Sequence, residues 1–368
     1  MSELKKNIWK PFGESAIGAS HTRKDMPNQD AYKEYRGEIQ EPKEATDEPI
    51  NKITPTVVAV SDGHGGNKYI RSGVGSLLAV EVMCNLAKSM AREIPTPSKR
   101  VRISEVDANA EQIKAQLLNM WQRAIDQYSR MYPMTEKEQS FLNSNCSEKD
   151  RAAVEKDFAI AKGSPDLKDV KPSRVAYGCT FLAAIAYEDV VLILQYGDGD
   201  VLGLYPNGEV KELIVADSRN MGNETLSLCR LENPAEIQHS VLVGSEIPIL
   251  ITLSTDGVKN SFDDLTAEEE SGFYKIPVDI KNLLLKSSVD TKAIRTVLKS
   301  ELERYTKHGA GDDVTLGVLF DVNRIRAEES SSTQTTSVME KEPLVDELDV
   351  IKENPQEGGV EKEAEVSE

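Results

Sequence analysis

The run Val57 to Gly66 reads VVAVSDGHGG. Its first four residues are small or β-branched and apolar, the composition of a short buried strand. The strand then stops. Asp62-Gly63-His64-Gly65-Gly66 turns sharply and presents a carboxylate and an imidazole among three glycines. Glycine lets the backbone come close to a ligand. A strand-end Asp can hold a hard divalent cation, with the turn's carbonyls joining it. A His two residues on is a candidate proton donor or acceptor. Read alone, these five residues fit a solvated glycine turn equally well.

The same pattern recurs along the chain. Asp30 stands at the start of an expected strand. Asp198 sits in Gly197-Asp198-Gly199-Asp200, a turn between two apolar strands. Asp256 follows an apolar strand in Ser254-Thr255-Asp256-Gly257. Asp312 and Asp313 precede the last strand in Gly311-Asp312-Asp313-Val314-Thr315. An Asp beside Gly is an ordinary turn, but repetition at apolar strand ends is not ordinary. Carboxylates gathered at one sheet end repel unless cations neutralise them. All-oxygen ligation points to Mg²⁺ or Mn²⁺ rather than Zn²⁺, and four His in the whole chain are few for a zinc site.

Strands are expected at Ser15–Ser20 and Ala31–Arg36, with the polar segment 37–55 a long hairpin loop. Ile70, Val74, Leu78, Val82, Leu86 and Met90 recur every four residues and predict a helix over Lys68–Met90, closed by Pro95 and Pro97. A second apolar stripe, from Ile113 to Tyr128, predicts a helix over Glu105–Tyr132. Residues 133–174 are charged and weakly patterned, a surface insertion with one short helix near Glu148–Lys162. Strand signals then crowd between 179 and 254, helices are expected at Lys281–Leu285 and Thr291–Tyr305, and the last strand at Thr315–Phe320. Many antiparallel strands with helices grouped outside them imply packed sheets covered by helices.

Of 368 residues, 39% are hydrophobic, enough for a sizeable core. The net charge is −18, and residues 327–368 hold 13 acids against 3 bases, leaving −8 for the rest. An acidic body argues against nucleic acid or an anionic membrane as partner. The tail reads as disordered. The cysteines Cys84, Cys146, Cys179 and Cys229 show no C-x-x-C pairing, so reduced thiols in a cytoplasm are expected. No signal peptide or membrane span is read.

In this order, the motifs resemble those of the metal-dependent Ser/Thr protein phosphatases of type 2C. Gln29-Asp30, Asp62 to Gly66, Gly178-Cys179-Thr180, Gly197-Asp198, Ser254 to Gly257 and Asp312 to Thr315 each match. The resemblance covers residues 15–320, and the loop Gly18 to His21 looks like the bacterial-type branch. It implies an α+β fold, a four-layer α-β-β-α sandwich of two antiparallel sheets flanked by helices. The catalytic domain would span 1–326, followed by the acidic tail 327–368. It implies hydrolysis of phosphoserine and phosphothreonine in proteins by a water held between two cations, Mn²⁺ or Mg²⁺, with a weaker third ion. Carried over, Asp62 bridges both metals and the Gly63 carbonyl assists. Asp256 and Asp312 hold the first metal, Asp30 acts on the second through waters, and Asp198 with Asp256 holds the third. His64 protonates the leaving oxygen.

Gln29 stands where Glu is common, and Asp200 where a base is common. The family's phosphate-binding Arg has no direct counterpart, so His21 and Arg23 in the loop before Asp30 are the candidates for substrate phosphate. Asp200 and Asp313 are expected to be solvated turn residues. The expected partner is a phosphorylated protein and the expected state a monomer. A phosphoprotein-binding module without turnover and a phosphatase of small phosphate esters are the alternatives.

Overall fold

Val57 and Ala59 face one core and Val58 and Val60 another, so the strand Thr56–Ser61 is buried on both faces. That is why its sequence is continuously apolar rather than alternating. The computed structural model describes residues 8–40, 52–93, 103–187, 189–215, 217–220, 225–262 and 267–327. The strand lies in a five-stranded antiparallel sheet, in the spatial order Gln238–Val243, Val190–Tyr196, Phe181–Ala186, Thr56–Ser61, Ala31–Tyr35. A second such sheet runs Trp9–Ala16, Val314–Asp321, Leu250–Ser254, Asp200–Leu204, Val210–Glu212.

The two sheets share an inner core that includes Trp9, Val58, Val60, Leu182, Ile251, Leu253 and Leu319. Outside the first sheet lie the helices Ser72–Ser89, Ile103–Met131 and Glu148–Ala161, joined to it through Leu117, Trp121 and Phe158. Outside the second lie Ala267–Lys286 and Thr291–His308, joined through Ile280, Leu298 and Leu302. The result is the expected four-layer α-β-β-α sandwich. Among the described residues no helix is long and apolar enough to cross a membrane.

Several boundaries move. The first strand is Trp9–Ala16, and the expected strand at 15–20 is largely replaced by the short helix Ala19–Arg23. Pro11 is tolerated because this strand is an edge. The segment expected to be an unstructured hairpin contributes Ile39–Gln40 and Lys52–Ile53, which pair with each other, and the latter also with Arg92–Glu93. The helix read from Lys281 begins at Ala267 and carries Pro277 inside it. The insertion holds two main helices rather than one, Glu136–Asn145 and Glu148–Ala161. Pro95, Pro97 and the acidic segment from 328 onward lie outside the described residues.

Candidate active site

Asp62 ends its strand and is clamped by Thr180. The Thr180 N–H donates to the Asp62 carbonyl at 2.8 Å, and the Asp62 N–H donates to Thr180 Oγ1 at 3.0 Å. His64 is held by its own N–H, which donates to the Gly178 carbonyl at 3.1 Å. A Cβ at Gly63 would collide with the Gln29 carbonyl, so this glycine is required by close approach. The DGHGG turn is wedged between Gly178–Thr180 and the loop that carries Asp30.

The other carboxylates arrive from four strand ends. Asp30 begins Ala31–Tyr35's approach and accepts from Thr255 Oγ1 at 2.9 Å. That hydroxyl in turn accepts from the Thr315 N–H at 3.0 Å, so Thr255 ties the three turns together. Asp198 sits after Gly197, whose φ of +127° suits glycine. Its Oδ2 accepts from Thr225 at 2.7 Å, while its Oδ1 is buried without a partner. Asp256 opens a short helix after Leu250–Ser254 and accepts from Asn260 at 3.0 Å. Asp312 precedes the final strand and accepts the Asp313 N–H at 2.8 Å.

Asp62, Gly63, His64, Asp198, Asp256 and Asp312 all line one pocket of about 530 Å³. Asp30 stands off its lining. Burial, with the charge of Asp313 next, pushes the Asp30 carboxyl up to about 8. Burial, then repulsion from Asp30 and Asp256, holds Asp62 well above the usual carboxylate range. Burial, then Asp198, pushes Asp256 up to about 6. The carboxylates thus repel across a shared space. The donor set is all oxygen, one buried carboxylate oxygen is orphaned, and the excess charge is negative. These residues fit hard divalent cations.

His64 is partly buried and packs against the Tyr69 ring, centroids 4.9 Å apart. Its Nε2 is buried without a partner. Burial, then the charges of Arg230 and Lys68, pushes the imidazole down to about 4, so it is neutral in the free pocket at pH 7.

Neither His21 nor Arg23 reaches the pocket lining. Arg23 is exposed. His21 is buried, with Nδ1 3.0 Å from Asp313 and Nε2 3.5 Å from Asp312. These three are the one group of His, Cys, Asp or Glu among the described residues whose ligating atoms close within 4.8 Å. Asp313 is already committed, since its two oxygens accept the N–H groups of Gly18 and Gln29, both at 2.6 Å. It is 4% exposed, not a solvated turn residue. Asp200 is corrected likewise, being partly buried and paired with Lys259 at 3.0 Å. Each is held in by a partner far away in sequence. Gln29 is buried and donates to Ser72 Oγ at 2.9 Å.

Sequence reading missed the pocket's cations, Lys68 and Arg230, and its wall, Asn145, Cys146, Ser147 and Asp150 from the insertion. A signal for the wall was present. Thr135-x-x-Glu138 forms a capping box, and Ser147 caps the next helix through the Asp150 N–H. Two helix starts so close together place a tight turn between them.

The family model described as protein phosphatase 2C matches residues 17–298. The match stops before Asp312, whose membership of the site rests on the shared pocket. No curated protein sequence matches. Similar solved structures include the catalytic domain of the serine/threonine protein phosphatase PstP in complex with two manganese ions. It is 14% identical, covers 85% of this chain and 97% of that one, and has a TM-score of 0.43. PppA, a key regulatory component of T6SS in Pseudomonas aeruginosa, is 15% identical over 86% of this chain and 98% of that one, with a TM-score of 0.42. Stp1 from Staphylococcus aureus is 10% identical over 87% and 95%, with a TM-score of 0.38.

Proposed function

This chain belongs to the protein phosphatase 2C family of protein-serine/threonine phosphatases, and from that premise we propose how its own residues carry out the hydrolysis. The observation that carries the reading is the single pocket onto which Asp62, Asp198, Asp256, Asp312 and His64 open. Asp62 would bridge two Mn²⁺ or Mg²⁺ ions, with the Gly63 carbonyl, Asp256 and Asp312 completing the first and Asp30 acting on the second. Asp198 with Asp256 would hold a weaker third. Such ions, when bound, supply an activated water at neutral pH and offset charge on the transferring phosphoryl group.

The chain's own cations then orient the substrate. Lys68 and Arg230 line the pocket beside His64 and are set to hold phosphate oxygens, the role first expected of His21 and Arg23. Arg230 is steadied by its Nη2, which donates to Tyr69 Oη at 3.1 Å. His64 passes a proton through Nε2 to the departing serine or threonine oxygen. The imidazole is neutral in the free pocket, and a dianionic phosphate set beside it favours the protonated form, so His64 takes up its proton from solvent as the monoester binds. We place the catalytic domain at residues 1–326, with 327–368 outside the chemistry.

The test compares a phosphothreonine peptide with p-nitrophenyl phosphate, with Mn²⁺ and with chelator. Both should release phosphate only with the metal. His64→Ala should cut peptide turnover by roughly 10²–10⁴-fold and spare the nitrophenyl ester, whose leaving group is stable as an anion. Equal losses would remove the proton-transfer role, and no metal-dependent release from either would overturn the reading.

A further inference from the structure

The 530 Å³ pocket does not end at its wall. It adjoins a groove of about 1090 Å³, and Lys68, Asp150 and Arg230 line both cavities. The groove's sides are the helix Ile103–Met131 and the insertion helix Glu148–Ala161, with segments around 171–175 and 229–234 closing it. Five cations line it against two acids, Asp150 and Glu232. Lys68 is engaged by Asp150 at 3.4 Å, and Arg174 by Asp126 at 2.9 Å. Among the described residues Lys149, Lys171 and Arg230 have no such ion pair. On a chain of net charge −18, uncommitted cations along one groove are a local reversal of sign.

The groove is also firmly built. Arg71, just after the DGHGG turn, makes a bidentate pair with Glu138 at 2.6 and 2.9 Å. It further donates to the carbonyls of Tyr132 and Pro133. Asn67 donates to the Asn145 carbonyl at 2.8 Å. The insertion is therefore bolted to the loop that carries His64. A single phosphorylated side chain fits the pocket and leaves the groove for whatever adjoins it.

We propose that this groove seats the polypeptide flanking the phosphorylated residue and selects acidic side chains there, through Lys149 and Lys171. The proposal rests on the phosphatase reading above. Charge complementarity of this kind sets partner choice more than raw affinity and weakens with salt.

The experiment uses phosphothreonine peptides with acidic, neutral or basic flanks and the full chain with Mn²⁺. The acidic peptide should exceed the basic one in kcat/KM by roughly tenfold at low ionic strength, through KM. The exposed double variant Lys149→Glu, Lys171→Glu should reverse that order and leave p-nitrophenyl phosphate turnover unchanged. Equal kcat/KM on all flanks, or an order that survives the charge reversal, would overturn the proposal. Binding of the same peptides by fluorescence anisotropy gives a second readout that needs no turnover. A preference there without hydrolysis would support the groove while striking the phosphatase reading, and no preference would sink the groove.

Discussion

The carboxylate cradle and the insertion that walls it are opposites in charge economy. In the cradle, Asp30, Asp62 and Asp256 are pushed above the usual carboxylate range by burial and by one another. In the wall, the charges that anchor it to the body are matched. Arg71 meets Glu138, Arg174 meets Asp126 bidentately, and Asp157 accepts the N–H groups of Ser173 and Val175. Arg71 also lies over the Phe158 ring at 4.7 Å. Unsatisfied charge marks the place built to receive something, and satisfied charge marks the place built to stay still.

The sharpest way to break that contrast is Asp62→Asn. It removes the charge common to the whole cradle, so turnover of every substrate should fall by about 10³-fold or more, several kcal/mol of transition-state stabilisation. The chelated variant should nonetheless melt no lower than chelated wild type, because a repelled buried charge has gone. A large drop in its Tm would mean the cradle is held together by Asp62 and the contrast is false.

Arg71→Ala attacks the wall instead. It strands the partly exposed Glu138 and two carbonyls, and losing a partly buried pair with its hydrogen bonds costs about 1–3 kcal/mol, a Tm fall of roughly 3–8 °C. Metal dependence should persist, and KM should rise more for a peptide than for p-nitrophenyl phosphate. An unchanged Tm would show that the wall is not anchored there.

The smallest expected effect is on pH dependence. The cradle carboxyls have folded-state pKa values above the ordinary value near 4, so protonation favours the folded form. Their contribution is fully present below about pH 4. It is lost as pH rises through about 6 for Asp256 and about 8 for Asp30. Chelated protein should therefore melt lower at pH 8.5 than at pH 6, and Mn²⁺ should narrow the gap by supplying the missing charge. A chelated Tm that climbs between those values would contradict the repulsion in the cradle.

The two regions differ as much in how far the sequence discloses them. Asp62, Asp198 and Asp256 each follow an apolar run and touch a glycine, so strand end and candidate ligand are read together. The wall has no such coupling, and its cations are invisible in linear order, since Arg230 reaches Tyr69 across 161 residues. Asp313 looks like a solvated turn residue for the same reason, because what buries it is the loop 18–29, far away in the chain. The first strand is hidden in the sequence because Lys10, Pro11 and Glu14 interrupt its apolar positions. The helix Ala267–Lys286 looks shorter in the sequence because Pro277 reads as a breaker, yet the fold tolerates it inside the helix.

The pairing of Trp9–Ala16 with Val314–Asp321 joins the first and last strands of the described body. Ser15 and Thr315 touch across 300 residues, and Asp312 and Asp313 sit at the start of that late strand. Long-range pairing of this kind forms slowly, after the loop-closure entropy has been met. On the ribosome, the nascent chain would carry Asp62 and His64 long before Asp312 exists. Catalytic competence would therefore be acquired in one step, only once Asp312 has emerged, and a chain cut short of it would have no phosphatase activity to misdirect.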